Sequence, residues 1–247
     1  MGNPIIIAEI GLNWFGNINL AKELCYNVYE CGANIAKFQL YKPEELLGKE
    51  SPYLTDAIKG VPTKEQCIEL KEYCDLVGIE FGLSVFHPDL IDFTENLGLK
   101  RYKVGSRSIK DLDLFKEINA TRKELIVSTG FAEESDLYRM LFHTRDCKSV
   151  ILLYCVSNYP SILRSINLEK LDTLRTVLQT FGRPPRVGFS SHCPRISPTM
   201  AAVAKGAVAV ENHVVKYKTM KGCDVSSSLS LSEYEKMIKY IREIGEM

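Results

Sequence analysis

Apolar residues recur along the chain as short, β-branched runs separated by longer stretches with helical spacing. Isoleucines crowd Ile5 to Ile10, and Leu20 to Cys31 follows as an amphipathic helix before a second strand at Asn34 to Gln39. A longer polar connection, Leu40 to Pro62, carries a Leu46-Leu47 pair that reads as a short packed helix, with a lid as the other reading. Thr63 with Gln66 forms a capping box that opens a helix running to Leu76. Phe81 to Phe86, Arg101 to Gly105, Leu125 to Ser128 and Val150 to Val156 read as the next strands. The helices between and after them are Leu90 to Asn96 (closed by Gly98), Leu112 to Asn119, Glu133 to His143 and Leu168 to Phe181. Val187 to Phe189 and Ala207 to Val210 flank an Ala-rich helix at Ser197 to Lys205, and Ser232 with Glu235 caps a last helix, Glu233 to Ile244. Eight strands alternating with eight helices predict a single α/β domain, a TIM (β/α)8 barrel over residues 1–247. A doubly wound open sheet is the alternative, but the chain has no Gly-rich phosphate fingerprint to go with it.

A barrel of this kind gathers its chemistry at the carboxyl ends of the strands, and the polar residues of this chain fall there. The strands end in turn at Glu9, at Lys37 and Gln39, at Ser84, at Lys103 and Ser106, at Ser128, at Ser157 and Tyr159, at Ser190 with His192, and at Glu211 with His213. Two imidazoles at the ends of neighbouring parallel strands make a candidate metal site; one structural and one exposed histidine is the competing reading. Lysines inside strands need an anion. Lys37 and Lys103, ringed by serine hydroxyls, suit a phosphate or carboxylate ligand, or else they pair with Glu9 or Glu211.

Composition narrows the class without naming the substrate. The net charge is zero with 45% hydrophobic residues, so nothing points to nucleic acid or to a membrane surface. Eight cysteines lie scattered without CxxC spacing, and the N-terminus MGNPIIIAEI has neither a signal peptide's pattern nor a myristoylation signal. Reduced thiols and the cytoplasm are the expectation. His87 and His143 read as a loop or cap residue and a helix-end residue. Cys193 beside His192 would be a softer third ligand favouring Zn²⁺, or simply a buried thiol. The Lys216, Lys218 and Lys221 group reads as a solvated loop or an anion attractor, and Arg183 to Arg186 as a helix stop.

Seven blocks then carry a resemblance: Ala8-Glu9-Ile10-Gly11 with Asn13 and Gly16; Lys37-Phe38-Gln39; Lys103 with Ser106; Ser128-Thr129-Gly130; Cys155 to Pro160; Gly188-Phe189-Ser190 with His192; and Glu211 with His213. In that order they resemble the sialic acid (N-acetylneuraminate) synthase family. The resemblance implies a phosphoenolpyruvate-using barrel that condenses it with an N-acylated aldose to a 2-keto sugar acid and phosphate. It implies His192 and His213 as ligands of Mn²⁺ or Mg²⁺, with Zn²⁺ the lesser choice. It places Lys37, Lys103, Ser84, Ser106, Ser128, Ser157 and Ser190 around phosphoenolpyruvate, Glu9 and Glu211 as acid/base carboxylates, and Gln39, Tyr159 and Asp224 toward the sugar. A homodimer is implied too. Three features depart from the family pattern: Trp14 where a histidine is usual, Ser191 where an aspartate is usual, and a chain that stops at Met247 without the usual antifreeze-like domain. They suggest a changed acceptor, a separate partner protein that completes the site, or a silent barrel that only binds ligand. A metal-dependent aldolase is the rival within enzymes. Trp14 would wall the acceptor pocket or cover an interface.

Overall fold

The alternation closes on itself. In the computed structural model, which describes residues 2–43 and 50–246, eight parallel strands pair in chain order: β1 (Ile5–Glu9), β2 (Ile35–Leu40), β3 (Glu80–Val85), β4 (Arg101–Val104), β5 (Glu124–Ser128), β6 (Ser149–Cys155), β7 (Val187–Ser191) and β8 (Ala209–Val215). β8 returns to β1 with Ile5 opposite Ala209 and Glu9 opposite His213, which closes the barrel. The open-sheet alternative falls with that pairing.

The helices among the described residues are α1 (Ile18–Glu30), α2 (Leu54–Gly60), α3 (Lys64–Val77), α4 (Ile91–Asn96), α5 (Leu112–Thr121), α6 (Glu134–His143), α7 (Lys170–Thr180), α8 (Ser197–Ala204) and α9 (Leu231–Gly245). Local chemistry explains their ends. The Asn17 side chain accepts from the backbone of Asn19 and Leu20 to start α1, and Thr63 with Gln66 closes the expected capping box on α3, which stops at Gly78 with φ +93°. The last helix corrects the sequence reading: its capping box is Ser230 with Glu233, not Ser232 with Glu235. Leu229–Ser230 forms a short strand, β9, whose residues pair with Val214 and Val215, and this holds Ser230 extended at the N-cap. Leu46-Leu47 lies outside the described residues; the part of that connection seen here contains α2.

Period-two alternation in the strands builds the interior in layers. Outward-facing Ile6, Ala8, Ala36, Phe38, Phe81, Leu83, Val127 and Leu152 join the helices in the main core. Inward-facing Ile7, Ile35, Ile126, Ile151, Leu153 and Ala209 form a separate apolar plug across the barrel's middle. Gly188 serves that plug, because a Cβ there would lie 2.2 Å from the Ala209 carbonyl oxygen and 2.6 Å from Leu153. Below the plug, Arg101 bridges Glu80 (Nε–Oε1 2.7 Å) and Glu124, while Ser149 donates to Glu124 at 2.6 Å and Arg186 adds a second cation there. The RPPR segment therefore does more than end a helix. Arg186 ties β7's entry to β5, and Arg183 donates to the Thr144 carbonyl. Above the plug, the same inward positions carry the charged residues of the site.

Candidate active site

Register puts the functional side chains side by side. Glu9 is level with Lys37, Gln39 with Ser84, Ser84 with Lys103, and Ser190 with Glu211. These residues line a cavity of about 220 Å³ at the carboxyl end of the barrel, together with Ser106, Ser128, Ser157, Tyr159, His192 and His213. All of the sequence-predicted site residues but Asp224 reach its wall.

Both lysines are buried and both are paired, as the second of the two sequence readings has it. Lys37 Nζ contacts Glu9 closely, donates to Ser84 Oγ at 2.7 Å and lies 3.5 Å from Glu211. Lys103 Nζ donates to Ser128 Oγ at 2.7 Å and lies 3.7 Å from Glu211. Ser190 donates to Glu211 at 2.9 Å, and Gln39 donates to Glu9 at 2.5 Å. Electrostatics separates the two carboxylates. Burial alone would raise Glu211, but Lys103, Lys37 and the Ser190 hydroxyl pull it down to about 2. For Glu9, burial outweighs Lys37, and the nearby Glu211 charge adds to the rise above the ordinary value. Burial also lowers Lys103, whereas in Lys37 the Glu211 and Glu9 charges overcome it.

The histidines meet. Their ring centroids are 5.5 Å apart, and the Tyr159 ring stacks on His192 at 4.0 Å and stands edge-on to His213 at 5.9 Å. His192 Nδ1 lies 2.7 Å from the Val156 carbonyl oxygen, which can only accept, so that nitrogen carries the hydrogen and Nε2 keeps its lone pair. Burial and the neighbouring His213 hold His192 down at about 4, so it is neutral near neutral pH. A neutral imidazole with a free lone pair is what a divalent cation requires. Among the described residues no cluster of three or more His, Cys, Asp or Glu is placed to hold a metal, so the pair fits a cation that draws its other ligands from substrate and water.

Four expectations change. Asp224 does not line the cavity; its Oδ2 lies 3.6 Å behind His213 Nδ1, a ring atom otherwise buried without a hydrogen bond. It stands beside that ring beyond hydrogen-bond reach, on a side where Ser191 offers no carboxylate, and the Ser191 hydroxyl accepts from the Cys193 backbone. Cys193 lines a different cavity with Pro160 to Arg164, Pro194 and Arg195 and is not part of the bowl's lining, so it reads as the buried thiol rather than a third ligand. Trp14 is fully buried, edge-on to Phe38 at 6.3 Å, with its indole N–H donating to the Gly60 carbonyl at 2.8 Å. It walls no pocket and covers no interface. Lys216 and Lys218 are paired with Glu23 and Glu233, as in a solvated loop. His87 caps a turn by accepting from the Asp89 backbone, and His143 ends α6, both as read. The sequence reading missed Phe86, Arg107, Phe131 and Cys155, which also line the cavity. Arg107 directly follows Ser106, and that adjacency was its one available signal.

The chain matches the NeuB family over residues 24–247. It belongs to that family. A Legionella pneumophila relative, N,N'-diacetyllegionaminic acid synthase, is 31% identical, with 96% of this chain and 71% of the relative covered. The Homo sapiens N-acetylneuraminate-9-phosphate synthase is 28% identical over 96% of this chain and 69% of its own length. A crystal structure of the Leptospira borgpetersenii N-acetylneuraminic acid synthetase, in complex with citrate, matches with a TM-score of 0.92 at 28% identity, covering 99% of this chain and 85% of that one. This NeuB-family chain is accordingly an enzyme of the sugar-acid synthase kind. No helix among its described residues is long and apolar enough to cross a membrane.

Proposed function

We propose that this NeuB-family chain joins phosphoenolpyruvate to an N-acylated aldose, forming one C–C bond and releasing phosphate, to give a nonulosonic 2-keto sugar acid. The observation that carries the reading is the bowl itself. Two buried lysines and a ring of serine hydroxyls on one side face two imidazoles on the other, with two unlike carboxylates between them.

Mn²⁺ or Mg²⁺ held by His192 and His213 would supply Lewis-acid polarisation of the acceptor's carbonyl. The chain's own groups perform the remaining tasks. Lys37 and Lys103, with Ser84, Ser106, Ser128, Ser157 and Ser190, hold the carboxylate and phosphate of phosphoenolpyruvate. The enol's terminal carbon attacks the acceptor carbonyl carbon, and the carbonyl oxygen takes a proton from Glu9, whose raised pKa suits a donor. Positive charge develops on the enol's central carbon, and ionised Glu211 stabilises it. Water adds at that carbon and gives its proton to a carboxylate. The adduct then loses its hydroxyl proton and expels phosphate, leaving the ketone. Gln39, bonded to Glu9, and Tyr159, stacked over His192, flank the acceptor's place.

The test is phosphate release from phosphoenolpyruvate with Mn²⁺ across a panel of N-acylated and plain aldoses. Release with one acceptor, cut by about a hundredfold or more in His213→Ala, is the expected result. Silence across the panel with phosphoenolpyruvate still bound would redirect the reading to a barrel completed by a partner protein, and absence of binding would overturn it.

A further inference from the structure

The charges lining the bowl do not cancel. Lys37 and Lys103 are matched inside it by Glu9 and Glu211. Arg107 lines the same cavity, yet among the described residues its guanidinium has no carboxylate partner and no hydrogen bond. It sits in the short turn Ser106–Ser108 that follows β4, and its side chain is exposed at the mouth.

Its neighbours are hydroxyls. The Ser106 hydroxyl accepts the Gly130 N–H at 3.0 Å, and a Cβ at Gly130 would lie 2.2 Å from Ser157 Oγ and 3.1 Å from Ser106 Oγ. Ser106, Ser128 and Ser157, with Lys103 beneath, therefore form one arc at the ends of β4, β5 and β6, kept open by a residue without a side chain. The opposite arc, from β8 through β1 to β2, carries His213, Glu9 and Gln39. Arg107 stands on the hydroxyl arc, away from the acceptor's side.

We propose that Arg107 clamps the phosphoryl group of phosphoenolpyruvate at the mouth of the Ser106–Ser128–Ser157 arc and holds the phosphate as it leaves. The proposal rests on the phosphoenolpyruvate reading above. A phosphate monoester carries about −1.5 to −2 near neutral pH, and the enol acid adds its carboxylate. The two lysines meet that charge already partly neutralised by Glu9 and Glu211, so the excess falls to Arg107, the lining cation without a counter-ion among the described residues. A guanidinium fork can take two phosphate oxygens at once, and a lysine in its place cannot.

Calorimetric titration of the full chain tests this, comparing wild type, Arg107→Ala and Arg107→Lys against phosphoenolpyruvate, inorganic phosphate and pyruvate. Arg107→Ala is expected to weaken phosphoenolpyruvate and inorganic phosphate by roughly 10- to 30-fold and to leave pyruvate within about twofold, with Arg107→Lys recovering part of the loss. In turnover, KM for phosphoenolpyruvate should rise by the same factor while KM for the acceptor stays within about threefold. Equal phosphoenolpyruvate affinity in wild type and Arg107→Ala would overturn the clamp and leave the phosphoenolpyruvate reading intact. A rise confined to the acceptor's KM would overturn it in favour of an anionic acceptor. Failure of wild type to bind phosphoenolpyruvate at all would overturn both.

Discussion

Glu211 is the residue on which most of the bowl's chemistry converges. It is shared by Lys37, Lys103 and Ser190, and those partners hold it ionised against burial. Glu211→Gln keeps the shape and removes the charge. The expected outcome is a fall in phosphate release of about a hundredfold or more, with phosphoenolpyruvate affinity unchanged or tighter, because a rival anion has gone. Calorimetry beside a phosphate assay separates the two effects, and affinity weakened tenfold would count against the role. Most of the site was legible in the sequence because strand ends in a barrel are crowded with side chains of one purpose, so a lysine or serine there stands out from an aliphatic background. Asp224 and Arg107 were not legible in the same way. Asp224 comes from a loop past β8 whose fold back behind His213 no period predicts, and an arginine after a turn serine reads as solvated unless the cavity beside it is seen.

Between residue and barrel stand the connections. Trp14, in the β1–α1 connection, fastens α2 to the barrel through the Gly60 carbonyl and the Phe38 ring. Trp14→Phe should therefore lower stability by about 2–4 kcal/mol, part from the lost volume and part from a buried carbonyl left without a donor. Urea unfolding followed by circular dichroism would measure it, and a loss under about 0.5 kcal/mol would show that Trp14 does not fasten α2 to the barrel. The elements themselves were readable from hydrophobic period and caps, except for α2 inside the polar β2–α3 connection and for two features of one origin. β8 runs to Val215, well past the apolar stretch ending at Val210, because Glu211 and His213 point inward as site residues and interrupt the pattern that marks a strand. β9 then pairs with that hidden end, and its two residues decide which of two serine caps starts α9. Function had overwritten the local signal.

Across the whole molecule, two charged layers are kept apart by an apolar plug. The lower layer should govern acid stability. The Ser149 hydroxyl and the Arg186 and Arg101 guanidinium groups hold Glu124 below its ordinary carboxylate pKa, overcoming the rise that partial burial imposes. A depressed native pKa means that the unfolded chain binds the proton first on acidification. The contribution is thus complete above the ordinary value of 4.5 and is lost as pH falls through the depressed one. Glu124→Gln should cost about 2 kcal/mol, or roughly 5 °C in melting temperature, at neutral pH, and the gap from wild type should narrow on acidification below the ordinary carboxylate range. Thermal melts across that range check it, and a constant gap would sink the assignment. The upper layer has a different consequence. In the ligand-free bowl, each lysine already has a carboxylate at its side, so an anionic guest arrives as a competitor for cations that were never bare. When an acidic product goes, each lysine is left beside a carboxylate rather than bare.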